Sequence, residues 1–139
     1  MKWLVDTVTI SETTRPRPNA AVLRWFEGHE EWSWYVSVLT IGELHKGILR
    51  LAEGPRRTKL QQWLDVDLRK RCAGRILPVD VEIAETWGRL CAQAERLGRT
   101  LPAVDSLLAA TALQHGLIVV TRNVEDFAAA GVTVENPWS

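Results

Sequence analysis

This chain carries no net charge: 17 lysines and arginines stand against 17 aspartates and glutamates. That excludes a global positive field for holding nucleic acid, so any such binding has to be local. Cysteine is scarce. Cys72 and Cys91 have none of the short paired spacing that zinc or redox chemistry uses. Both fall among apolar residues of predicted helices, so both read as buried free thiols, in keeping with a reducing cytoplasm. No apolar run approaches the ~20 residues of a membrane span. The start, Met1-Lys2-Trp3-Leu4-Val5-Asp6, meets a charge after three apolar residues, too soon for a signal-peptide core. Neither a Walker-type loop nor a dinucleotide glycine fingerprint is present, so no nucleotide cradle is expected. Internal repeats, low-complexity segments and interdomain linkers are also lacking.

What is present suits one ordinary domain spanning 1–139, since 46% of the 139 residues are hydrophobic. Trp3-Leu4-Val5 reads as a short buried strand, and Thr13–Asn19 as a loop because of Pro16 and Pro18. Asn19 caps a predicted helix running to about Gly28. A strand over Tyr35–Val38 and a helix from Ile41 to about Ala52 follow, ended by Gly54-Pro55. Leu60, Trp63, Leu64 and Leu68 repeat at helical spacing. Ile76–Val79 is a strand placed at a sheet edge by Pro78. Ile83, Trp87, Leu90, Cys91, Ala94 and Leu97 form an amphipathic stripe closed by Gly98. Pro102 opens a helix that is apolar nearly all round, and Gly116 stops it. Leu117-Ile118-Val119-Val120 is a continuous aliphatic strand of the parallel-sheet type. A short helix from Val124 to Ala129 and a strand near Val132–Val134 end the chain. Alternating strands and helices predict a three-layer α/β/α sandwich around a central, mostly parallel sheet of four to five strands.

Four carboxylates sit at predicted junctions of this pattern: Asp6, Glu43, Asp105 and Asp126. Each has an ordinary structural reading. Thr40 and Glu43 form a capping box, as do Asn123 and Asp126, and Asp105 lies in a first helical turn, where the helix dipole favours negative charge. Asp6 is harder to dismiss, because it directly follows a buried apolar strand. Together the acids say more. Helices that follow parallel strands start on one edge of the sheet, where α/β proteins bind ligands. Acids crowded there repel and take up protons unless a hard cation neutralises them.

The joint order Val5-Asp6-Thr7 with Ser11-Glu12, Thr40-Ile41-Gly42-Glu43-Leu44 with Gly47-Ile48, Asp105 to Ala112, Val120-Thr121-Arg122-Asn123 with Asp126-Phe127, and the ending Val134-Glu135-Asn136-Pro137-Trp138 resembles PIN-domain ribonucleases. The resemblance is to the VapC- and FitB-like toxins of type II toxin–antitoxin pairs, and it spans nearly the whole chain. It implies a Mg2+- or Mn2+-dependent endoribonuclease, a hydrolase acting on RNA phosphodiester bonds. It assigns metal-site roles to Asp6, Glu43 and Asp105. The fourth position falls to Asn123, which supplies an oxygen without charge, and to Asp126, which restores the charge. Val8 stands where the family has Asn. The resemblance further implies a homodimer in the bacterial cytoplasm and RNA as substrate, with transfer RNA among the family's targets. A cognate antitoxin (VapB- or FitA-like) would cover the active site, and operator DNA would be reached only through it.

Other readings of the same residues differ in class. A degenerate PIN domain would act as a binding module without cleavage. A metal-free nuclease would use His29, His45 or His115, which share no motif. A phospho-receiver would use Asp6 and Asp80, yet the adjacent acid pair and the lysine after Val120 are missing. Between Arg56 and Arg75 seven bases stand against two acids, a solvated helix face or a rim for phosphate. Of seven tryptophans, Trp63 and Trp87 read as core, Trp32 and Trp34 as surface or interface.

Overall fold

A computed structural model describes all residues, 1–139. Five strands form one sheet in the order β3-β2-β1-β4-β5, and every pairing is parallel. The strands are β1 (Trp3–Val5), β2 (Trp34–Ser37), β3 (Ile76–Leu77), β4 (Ile118–Val120) and β5 (Val134–Glu135). β1 is central. From it the chain first builds outward through β2 and β3, then returns to add β4 and β5 on the other side. The order therefore reverses at β1, which puts a crevice beyond its carboxyl end. β3 is an edge strand, as Pro78 suggested.

Alternation along the strands divides the core into two layers. Val5, Trp34, Val36 and Val120 face one way, with Ile10, Val22, Leu44 and Leu64 packed over them. Leu4 and Val119 face the other, beneath Leu108, Ala109, Ala112 and Phe127. The first layer is built from α1 (Thr7–Glu12), α2 (Ala20–Glu27), α3 (Val38–Leu49) and α4 (Pro55–Gln62). α4 continues through a π-helical stretch, Trp63–Leu68, into α5 (Arg69–Arg71). The second layer holds α6 (Val81–Arg96), α7 (Ala103–His115) and α8 (Val124–Ala129). This is the three-layer sandwich expected from the sequence.

Several local expectations are met. Asn19 caps α2 through Ala21 and Val22 N–H, α8 has the expected bounds, and Gly116 ends α7 in the left-handed region at φ 66°. Others are corrected. α1 was not anticipated, because Thr7, Val8, Thr9 and Ile10 are β-branched and poor helix formers. Asp6 overrides that preference by capping the helix. α3 begins at Val38, earlier than expected, because Ser37 ends β2 and itself caps the helix through Leu39 N–H. Thr40 therefore lies inside α3, fully buried, and the capping box with Glu43 does not form. Trp34 is not a surface residue but 0% exposed, enclosed by Phe26 at 5.3 Å and by the guanidinium groups of Arg71 and Arg75. Trp32 is exposed, as expected. Leu97, assigned to the core stripe of α6, is exposed, because the helix has ended before it. Cys72 is buried and free, whereas Cys91 is only half-buried.

Candidate active site

The crevice beyond β1 is built from the ends of three neighbouring strands. Asp6 follows β1, Ser37 ends β2 and Thr121 follows β4. Asp6 is 6% exposed, and both oxygens of its carboxylate accept hydrogen bonds. Oδ1 accepts from Thr9 N–H at 2.9 Å and Thr9 Oγ1 at 2.6 Å. Oδ2 accepts from Thr121 Oγ1 at 2.5 Å. One side chain thus caps α1 and ties β1 to β4. Burial raises the Asp6 pKa above the carboxylate norm, the Thr121 and Thr9 hydrogen bonds oppose that rise, and nearby Glu43 adds to it.

Glu43 reaches the site from α3, one turn beyond Thr40. Thr7 donates its hydroxyl to Glu43 Oε1 at 2.5 Å and stands 3.2 Å from the Thr40 hydroxyl. Thr7 thus places its hydroxyl beside the acids. On the other side, α7 carries Asp105 and α8 carries Asp126. The side-chain amide of Asn123 donates to both, at 2.9 Å to Asp105 Oδ2 and 2.8 Å to Asp126 Oδ2. Asn123 therefore does not cap α8 with its side chain, and the second capping box is also absent. Its backbone N–H is held by Thr121 Oγ1 at 3.0 Å. A continuous chain of hydrogen bonds runs Asp6–Thr121–Asn123–Asp105/Asp126.

The electrostatics draw the four acids together. Asp105 has a raised pKa, first from burial; the Asn123 hydrogen bond lowers it, and Asp6, Asp126 and Glu43 each push it up. The ion pairs of the chain are Arg15 with Glu12 and Arg71 with Glu31, so none of the four acids has a cationic partner. An all-oxygen donor set without counter-charge is the chemistry a hard divalent cation takes. No three of these side chains stand close enough to enclose a metal directly. Magnesium keeps several of its own waters, so carboxylates spaced like these would hold it partly through water. Val8 is half-exposed on α1 and contributes nothing polar to the crevice.

Thr9 and Thr121 were not singled out from the sequence. The available signal for Thr121 was a polar residue directly continuing the aliphatic run of β4. The competing sites are not assembled. Asp80 is the cap of α6, bonded to Ile83 N–H. His29 is stacked on Trp25 at 4.1 Å and bonded to Trp25 O. No histidine is a hydrogen-bond partner of the four acids.

The model of the family described as "PIN domain" matches residues 3–132. The VapC ribonuclease Y4jK of Sinorhizobium fredii is 37% identical, over 97% of this chain and 96% of its own. Toxin FitB of Neisseria gonorrhoeae is 38% identical, over 97% of each. Among solved structures, FitAB bound to an IR36 DNA fragment superposes with a TM-score of 0.93 at 36% identity, covering 98% of this chain and 95% of that one. A DNA-bound VapBC from Salmonella typhimurium shares the fold, with a TM-score of 0.83 at 23% identity.

Proposed function

Because the chain belongs to the PIN-domain family, we propose that it is the toxin of a toxin–antitoxin pair, a Mg2+- or Mn2+-dependent endoribonuclease that hydrolyses RNA phosphodiester bonds. The observation that carries this reading is the environment of Asp105. Three further acids from three other parts of the chain press on it, and no lysine or arginine relieves them. Such a cluster is destabilising alone and becomes favourable with a cation present.

In this reading Asp6, Glu43, Asp105 and Asp126 hold the ion. When bound, the ion polarises the scissile phosphate and lowers the pKa of an attacking water. The protein supplies preorganisation. Thr121 and Thr9 fix the Asp6 carboxylate. Thr7 aims Glu43. Asn123 holds Asp105 and Asp126 side by side through its amide, so its lack of charge is offset by its grip on two charged neighbours. The site opens at the sheet's carboxyl edge, where a phosphate can enter between α1 and α3 beside Thr7 and Glu43.

Residues 1–139 act as one PIN-like domain in the bacterial cytoplasm, where the RNA is. Two relatives carry the names VapC ribonuclease and toxin FitB, and a similar structure is of FitAB with DNA. By analogy the partners are a FitA- or VapB-like antitoxin seated over the acids, a second copy of this chain, and operator DNA reached through the antitoxin. No helix is long and apolar enough to cross a membrane. A binding-only PIN domain is the weaker reading, since Asn123 bridges Asp105 and Asp126 and Asp6 and Glu43 act on Asp105 as well.

The test is RNA cleavage by the purified chain with Mg2+ or Mn2+, with chelator, and with Asp105→Asn. Cleavage only with metal, lost in the variant, supports the proposal. Full activity in Asp105→Asn or in chelator removes it.

A further inference from the structure

The basic stretch from Arg56 to Arg75 does not act as one surface. Arg75 donates to Trp34 O at 2.6 Å and to Glu31 O, and Arg71 pairs with Glu31 Oε1 at 2.6 Å. Both lie over the buried Trp34 ring. These two cations are spent on packing. Arg56 and Lys59, on the exposed side of α4, are not.

Arg56 and Lys59 line a groove that starts at Glu43. Its inner part, about 240 Å3, is bounded by Thr7 and Glu43 at one end and by Arg15, Arg56 and Trp63 at the other. Its outer part, about 390 Å3, shares Arg15, Arg56 and Trp63 and adds Lys59. Glu43 is the only acid lining either part. Arg15 is partly offset by Glu12, 3.6 Å away, but that carboxylate is buried beside the loop and accepts from Asn19 N–H at 2.9 Å. The groove thus changes from negative at the active centre to positive along its length, with one half-buried indole among the cations.

We infer that this groove is the track for the single-stranded RNA flanking the scissile bond, with Arg15, Arg56 and Lys59 on successive phosphates and an unpaired base against Trp63. The inference rests on the endoribonuclease reading and adds the substrate's form and path. Cations reduce the phosphate charge, and an aromatic face accepts any base. A duplex keeps its bases stacked inside and cannot use Trp63 in this way. On an electrically neutral chain, this is how a polyanion can be held locally beside four acids that repel it.

The experiment is fluorescence anisotropy with the full chain, short unstructured single-stranded RNA and the matching duplex, in chelator so that no cleavage intervenes. The wild type should bind the single strand at least tenfold tighter than the duplex. Arg56→Ala/Lys59→Ala, at exposed positions, should weaken single-strand binding several-fold. It should also flatten the log–log salt dependence by about 0.7 for each cation removed. Trp63→Leu should cost about tenfold without changing that slope, and Trp63→Phe should retain most of the affinity. Melting curves show whether Trp63→Leu disturbs the core beneath it; the double variant keeps the test independent of that. Unchanged single-strand affinity in the double variant overturns the track, even if the wild type cleaves RNA. So does equal duplex affinity, or a loss confined to binding of the antitoxin, which would make the groove a protein site. Cleavage is scored separately: if RNA follows the groove but is never cut with Mg2+ or Mn2+, the track stands and the nuclease reading fails.

Discussion

Thr121 donates its hydroxyl to Oδ2 of Asp6 at 2.5 Å, joining the ends of β4 and β1 across 115 positions of sequence. Thr121 Oγ1 in turn accepts the Asn123 N–H at 3.0 Å. One buried hydroxyl therefore sets two residues of the site. Thr121→Val keeps the shape and removes both bonds. A lost hydrogen bond to a buried charged group costs about 1–3 kcal/mol. Denaturant unfolding should show that loss, and metal-dependent cleavage should fall with it, whereas Thr121→Ser should restore most of both.

Asp105→Asn should separate stability from activity. Asp6 and Asp105 both have pKa values raised in the fold, so the folded chain binds their protons more tightly than the unfolded one. Their contribution to stability is complete below the ordinary carboxylate value of about 4 and is lost as pH rises through the raised values. In chelator, the melting temperature should therefore decline across that window. Asp105→Asn should reduce the decline and melt a few degrees higher at neutral pH, while losing cleavage. Added Mn2+ should raise the melting temperature of the wild type more than that of the variant.

Asn123→Asp replaces an amide that donates to two carboxylates with a fifth negative charge among the acids. Without metal it should destabilise the fold. With metal it should tighten Mn2+ binding several-fold. Asn123→Ala removes the bridge without adding charge and should weaken Mn2+ binding. Calorimetric titration distinguishes the two.

The two thiols should differ in reactivity. Cys72 is 0% exposed, and burial pushes its pKa up against the opposing pull of Arg75 and Arg71. Alkylation of the native chain should modify Cys91 first, and Cys72 only on unfolding. The raised thiol also contributes stability that is present below about pH 8.5 and lost as pH climbs through its folded value.

The sheet was legible because its strands are continuous apolar runs, and the acids because they sit where those runs stop. Asp6 stood out through its buried neighbours. What was not legible is which oxygen bonds which hydrogen. Thr40 reads locally as a helix cap, but Ser37 takes that place because β2 passes into α3 without a loop. Asn123 reads as a cap too, but two carboxylates from different helices attract its amide more strongly than the local N–H groups do. The first correction turns on where β2 stops, three residues before Thr40; the second needs Asp105, 18 positions from Asn123. The same holds for the basic stretch: only the fold shows that Arg71 and Arg75 serve Trp34 while Arg56 and Lys59 remain free.

The most direct test of the account is the chemistry of the cut RNA ends. Attack by water leaves a terminal phosphate with no cyclic form, and the account expects those ends only when Mg2+ or Mn2+ is present and Asp6, Glu43 and Asp105 are intact. Ends carrying 2′,3′-cyclic phosphate, formed equally well in chelator, would show that the ribose hydroxyl is the nucleophile and that these carboxylates are not the active centre.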